Sequence, residues 1–358
     1  MTKTISSRQG AILAALLLFA NKILVLPSLT YESSNADGIF ILLALLAVEM
    51  LILYIFFKVK EAFPYQNFYE IIKKYMGTIV AKLFYALLLV YFFFKIMLLF
   101  NISYMYFHIQ VYIDVAYYLF LFAFLLIMTS SVLRGLRAIG RGLEFFYFFI
   151  IGCMFFIILL SFANFDRFPL FFDSPPAQYF KGLFSNLFCF GDMLVLFVLM
   201  DKIEFAKKDE KKFFKYIGAS VVILILIYFM FYSIFGQTSF IHKNAISDII
   251  TFSYRFIDLG RLDIIAIVTV MFLSFLQLSI YCYALCECFM KLFSKLSIVY
   301  TIVVFDAIFI AVVASSLVNY LTVINLGMNV MGYFAIVLHL ILPILVLCFI
   351  KFSHRRQP

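Results

Sequence analysis

Ten apolar runs, each about 20 residues long, leave this chain little choice of architecture. By hydropathy they fall at about 10–31, 38–57, 83–107, 115–133, 143–162, 182–200, 216–236, 263–290, 298–318 and 330–350. A helical run of that length matches the hydrocarbon thickness of a bilayer. Inside lipid a helix satisfies every backbone N–H and C=O from within its own segment. Composition agrees: 66% of the 358 residues are hydrophobic and 13% are charged, against about 45–50% and 25% in soluble domains. The expected fold is an all-α integral membrane protein with ten transmembrane helices in one polytopic domain, 1–358. The first run is broken by Asn21, Lys22 and Pro27 and lacks a small-residue cleavage site, so it reads as a retained span and not as a signal peptide.

The loops carry the orientation signal. Of the 28 Lys and Arg, 21 lie on the side that holds both termini, five on the other, and Lys22 and Lys95 inside spans. The positive-inside rule then places both termini in the cytoplasm. The net charge of +9 is thereby accounted for by orientation and by attraction to anionic lipid, and implies no nucleic-acid binding. The longest outer connection, about 237–262, has room for one interfacial helix. All six cysteines lie in apolar segments without paired histidines, so neither a metal site nor a disulfide framework is expected, and no cofactor is implied. An enzyme is not expected either, because no HExxH, phosphate-cradling glycine loop or nucleophile–base set is present.

An even number of spans with both ends on one side permits division into two five-helix halves of opposite orientation, about 8–162 and 179–350. Transporters built on such inverted repeats bind substrate near the midplane, where the first helix of each half is interrupted. Here those helices are the first and the sixth. The first carries "ANKILVLP", with Ala20, Asn21 and Lys22; the sixth carries "NLFCFGDMLV", with Phe190, Gly191 and Asp192. Interrupted backbone is tolerated in a membrane only beside a cavity or packed protein. At a rise of about 1.5 Å per residue, Lys22, Glu49, Lys95, Asp192 and Asp306 all fall in one slab roughly 12–18 Å deep. Charges at that depth cost about 2.5–3.5 kcal/mol each on insertion scales, so they need partners or a wet cavity. Two readings stay open: structural ion pairs between the lysines and carboxylates, or a ligand site with Glu49 and Asp306 available for ion pairing or proton coupling. Gln277 and His339 are also mid-span, and His339 reads as a satisfied core histidine before a proton relay.

Several segments in order, "ISSRQGAILAALLLFANKILVLPSL", the "DG" before the second span, "FPYQNFYEIIKKYMGTIVAKLF", "LFSNLFCFGDMLVLFVLM" with its basic loop, and "LSIYCYALCECFMKLF", resemble spore-germinant receptor B subunits of the GerAB type. These belong to the amino acid–polyamine–organocation superfamily. The resemblance covers nearly the whole chain. It implies a ten-helix, 5+5 inverted repeat of the LeuT/APC kind with broken helices 1 and 6, located in the spore inner membrane. It further implies a permease-like subunit that binds a small germinant, usually an amino acid, and works with an A subunit and a lipoprotein C subunit. Tyr91 and Lys95 in the third helix and Gln277 in the eighth occupy places that line the ligand pocket in related proteins. The chain departs from the family at the first break, where Ala20 and Lys22 stand in place of two glycines. Lys22 could there supply the positive charge that a backbone clamp otherwise gives a carboxylate, or stand in for a bound cation.

Fold alone does not separate a receptor subunit from a transporter. A proton-coupled amino-acid permease, with Asp192, Glu49 or Lys22 titrating, is the main alternative. An ion-conducting subunit is a third.

Overall fold

The computed structural model describes residues 4–111, 116–162, 165, 174–254, 263–293, 296–315, 319–341 and 344. Among them the chain is helical throughout, with no strand and a single isolated parallel bridge between Ile5 and Ile203. Among the described residues eight stretches are long and apolar enough to cross a membrane. The helices are α1 (Ser7–Leu17), α2 (Asn21–Leu24), α3 (Leu26–Ser34), α4 (Gly38–Ala62), α5 (Phe68–Met76), α6 (Thr78–Gln110), α7 (Tyr117–Arg134) and α8 (Leu136–Ser161). They continue with α9 (Pro176–Asn186), α10 (Leu194–Val198), α11 (Glu210–Phe235), α12 (Ala245–Tyr254), α13 (Asp263–Leu292), α14 (Ile298–Ala314), α15 (Tyr320–Leu326) and α16 (Gly332–Ile336).

Two of the expected runs are not single helices. The run 10–31 is divided among α1, α2 and α3, and the run 182–200 among the end of α9, a 3₁₀ turn at Leu187–Cys189, and α10. Both lie at the centre, where packed protein replaces lipid around the interrupted backbone. Every residue from Gly10 to Leu17 and from Leu187 to Met200 is buried. α1 packs between α11, α8 and α13, while α10 packs against α13, α4 and α5. The 30-residue α13 lies along α6, the 33-residue helix, and also contacts α7 and α8.

On the periphery the pattern inverts. α7, α8 and α14 expose large apolar side chains such as Phe122, Phe145, Phe148 and Ile308, as expected where lipid tails are the solvent. The last described span, Tyr320–Ile341, contains two π-helical turns, Gly327–Met331 and Val337–Ile341. The connection between α11 and α13 holds α12, whose Ala245, Ile246, Ile249 and Ile250 are buried against α8, α11, α13 and α2. Two capped features were not read from hydropathy. Asn67 caps the short amphipathic α5 by accepting from Glu70 N, and Ser6 and Gln9 form a capping box that starts α1.

Candidate functional site

At the first break the chain turns through Leu18, Phe19 and Ala20. Ala20 has φ of +39°, a conformation glycine adopts freely and an L-residue adopts at a cost of about 1–3 kcal/mol. Ending α1 here leaves the Leu17 carbonyl without a helical partner. Two side chains donate to it: Lys22 Nζ at 3.3 Å and Gln277 Nε2 at 3.2 Å.

At the second break Gly191 has φ of +84°. A Cβ there would run into the His339 imidazole from the second π turn, so both the backbone conformation and the space require glycine. The break exposes donors, and Glu49 of α4 meets them. Its Oε1 accepts from Gly191 N at 2.7 Å and Asp192 N at 3.0 Å, and its Oε2 accepts from Met193 N at 3.2 Å. A carboxylate taking three backbone N–H groups beside α10 is a charge-assisted version of a helix cap.

Asp192 joins the two breaks. Its Oδ2 is ion-paired with Lys22 Nζ, and its Oδ1 accepts from Lys95 Nζ at 2.9 Å and from the Tyr281 hydroxyl at 2.5 Å. Lys22 also stands 3.9 Å from Glu49 Oε1. The exposure of these four ionisable side chains is 1% or less. Two lysines and two carboxylates give a formally neutral cluster, which is what a dry interior tolerates. The ammonium groups also lie over aromatic faces, Lys22 over Phe190 at 4.8 Å and Lys95 over Tyr91 at 5.4 Å.

A hydrogen-bond chain completes the surroundings. Gln277 Nε2 donates to the Tyr281 hydroxyl at 2.7 Å, and Tyr281 spends its own proton on Asp192. Tyr91 donates to the Phe190 carbonyl. His339 Nε2 is 3.0 Å from the Tyr91 hydroxyl and must be the donor, because the tyrosine has only one proton. That tautomer leaves His339 Nδ1 as an acceptor. It is one of three buried acceptors around the cluster, with Asn21 Oδ1 and Gln277 Oε1, that have no hydrogen-bond partner among the described residues. Such groups cost about 1–3 kcal/mol each when left unmet.

Of the residues singled out in the sequence, Ala20, Asn21, Lys22, Glu49, Tyr91, Lys95, Phe190, Gly191, Asp192 and Gln277 belong to this centre. Asp306 does not. It lies on α14, half-buried, and accepts from Thr129 Oγ1 of α7 at 2.7 Å. Depth along the membrane normal placed it in the same slab, but depth says nothing of azimuth. Of the carboxylates open to Lys22 by depth, Asp192 takes the direct bond and Glu49 stands 3.9 Å away. The sequence reading passed over Tyr281, although Gln277 and Tyr281 are spaced i, i+4 on one helix face. His339 is buried, as a core histidine would be, yet it touches the second break. Among the described residues no group of three or more His, Cys, Asp or Glu side chains is placed to hold a metal ion.

With this geometry in hand, comparison with known families decides the identity. The chain matches the spore germination protein family of permeases over residues 4–321. It belongs to that family. The match spans both breaks, all four ionisable residues of the central cluster, and Tyr91, Gln277 and Tyr281. Of the side chains at the site of this spore germination protein, His339 alone lies beyond the matched segment. No curated protein matches the chain.

Proposed function

We propose that the protein is the permease-like B subunit of a spore nutrient-germinant receptor. It binds a small germinant between the two broken helices and signals germination together with an A subunit and a lipoprotein C subunit. In this reading the chain has ten spans, with α1–α3 as the first and α9–α10 as the sixth, arranged as a 5+5 inverted repeat. Both termini face the cytoplasm, which in the spore is the core side of the inner membrane.

One observation carries the proposal: Asp192, at one break, is bonded to Lys22 from the other break and to Lys95 between them. Any molecule that enters this network must exchange for one of its bonds, and so must shift one broken helix against the other. That is the coupling a receptor requires. An amino acid or other carboxylate-bearing molecule fits the chemistry. Its carboxylate would exchange for Asp192 on a lysine, and its donors would meet the unpaired acceptors of Asn21, Gln277 and His339.

The test compares two readouts in a deletion strain complemented with wild type or Lys22→Met at matched abundance. The variant is expected to need at least about tenfold more germinant, equivalent to about 1.4 kcal/mol. Vesicles containing the wild-type protein are expected to show no concentrative uptake of the radiolabelled germinant. Proton-driven uptake would replace the receptor reading by a proton-coupled permease, and normal germination of the deletion strain would overturn it.

A further inference from the structure

The end of the molecule that carries most of the basic residues has a cavity of about 330 Å³ lined by Thr4, Gln9, Arg137 and Arg141. It lies between the segment before α1 and the start of α8, just outside the apolar part of that span, and it shares no residue with the central cluster. Arg137 and Arg141 are spaced i, i+4 and therefore share one face of α8. Their roles differ. Arg137 Nε donates to the Thr4 carbonyl at 3.3 Å and fixes the wall opposite. Arg141 is exposed and has no hydrogen bond or ion pair among the described residues.

The acidic neighbours are already engaged. Glu144 accepts from Gln9 Nε2 at 3.0 Å and pairs with Arg8 at 3.7 Å, and Glu204 accepts from Thr4 Oγ1 at 2.8 Å. Counting Arg8, Arg137, Arg141, Glu144 and Glu204, the surroundings keep one net positive charge, and the free guanidinium is at the cavity. Gly140 on α8 keeps the opposite wall close: a Cβ there would lie 3.2 Å from both Gln9 Oε1 and Ile5 Cγ2.

We propose that this cavity binds a phosphate-bearing group. A planar guanidinium fork suits phosphate oxygens in bidentate fashion. Basic pockets between helices at the cytoplasmic membrane boundary are where anionic lipid headgroups are held. The wall formed by Thr4 adjoins Ile5, whose N–H donates to the Lys202 carbonyl at 2.8 Å and whose carbonyl accepts from Glu204 N at 3.0 Å. A bound phosphate would therefore hold the segment before α1, and through its Ile5 pairing the chain that follows α10, against the start of α8. The proposal is independent of what the centre binds.

The experiment uses the full chain and Arg141→Gln, a substitution that breaks no bond in the structure. Both are reconstituted in phosphatidylcholine nanodiscs with and without phosphatidylglycerol, and lipid retention is read by native mass spectrometry after extraction. In a second arm inorganic phosphate is titrated against the melting temperature in phosphatidylcholine alone. Retention of phosphatidylglycerol by wild type, reduced at least about tenfold in Arg141→Gln, supports the site with a lipid as its source. A phosphate-dependent rise in melting temperature that Arg141→Gln abolishes, without lipid retention, supports it with a soluble source. If neither effect depends on Arg141, the proposal fails.

Discussion

The two breaks solve opposite problems. Where α1 stops, the helix presents carbonyl oxygens and the negative end of its dipole, and cationic or amide donors come to it, Lys22 and Gln277 on the Leu17 carbonyl. Where α10 begins, the helix presents N–H groups, and a carboxylate comes to them, Glu49 on Gly191, Asp192 and Met193. A broken helix in lipid thus selects the charge of its partner by which half is exposed. The backbone solutions differ as well. Gly191 adopts its positive φ without strain, while Ala20 carries a Cβ in a conformation that favours glycine. Lys22 and Asp192 are bonded to each other across the two breaks, and Asp192 also holds Lys95, which ranks the experiments that follow.

The largest effect is expected from Asp192→Asn. It removes the charge that Lys22 and Lys95 share and leaves two buried ammonium groups with Glu49 alone, at a cost of about 3–5 kcal/mol. The purified variant should show a markedly lower melting temperature and reduced abundance in the membrane. A melting temperature equal to that of wild type would mean that the two breaks are not held together by this residue.

Glu49→Gln should cost less, about 1.5–3 kcal/mol, because an amide oxygen still accepts from the second break but without charge. Hydrogen exchange resolves which break is affected. Protection should fall at Gly191, Asp192 and Met193, and stay unchanged at Ile23 and Leu24 of the first break. Equal loss at both would show that Glu49 acts through the lysines and not as a cap.

The smallest effect, and the only one of opposite sign, is expected from Ala20→Gly. Relief of the positive φ outweighs the added freedom of the unfolded chain, with a net gain of up to about 1 kcal/mol. A small rise in melting temperature checks it, and a fall would show that the Ala20 methyl contributes more by packing than its backbone costs.

Hydropathy and periodicity carried far in this chain, because the bilayer enforces them. A run of apolar residues in lipid must be a helix, so the helical class, the position of most spans and the two interrupted ones were all legible. The intramembrane charges were legible for the same reason, since an unneeded charge at that depth is too costly to keep. Pairing was not legible. Lys22, Glu49, Lys95, Asp192 and Asp306 are equivalent by depth, and only the rotation of each helix about its axis sends four of them inward and turns Asp306 toward Thr129.

The role of Glu49 belonged to the same hidden class, because its partners are three backbone N–H groups, which no side-chain pattern announces. His339 shows the limit most clearly. Two π turns set its direction on its span, and its contacts with Tyr91 and the space above Gly191 join residues more than 140 positions apart. Sequence determined which elements form and which groups cannot remain in lipid alone. Tertiary structure decided who meets whom, because azimuth and helix irregularity follow from packing among all the helices at once and not from the free-energy balance of any one of them.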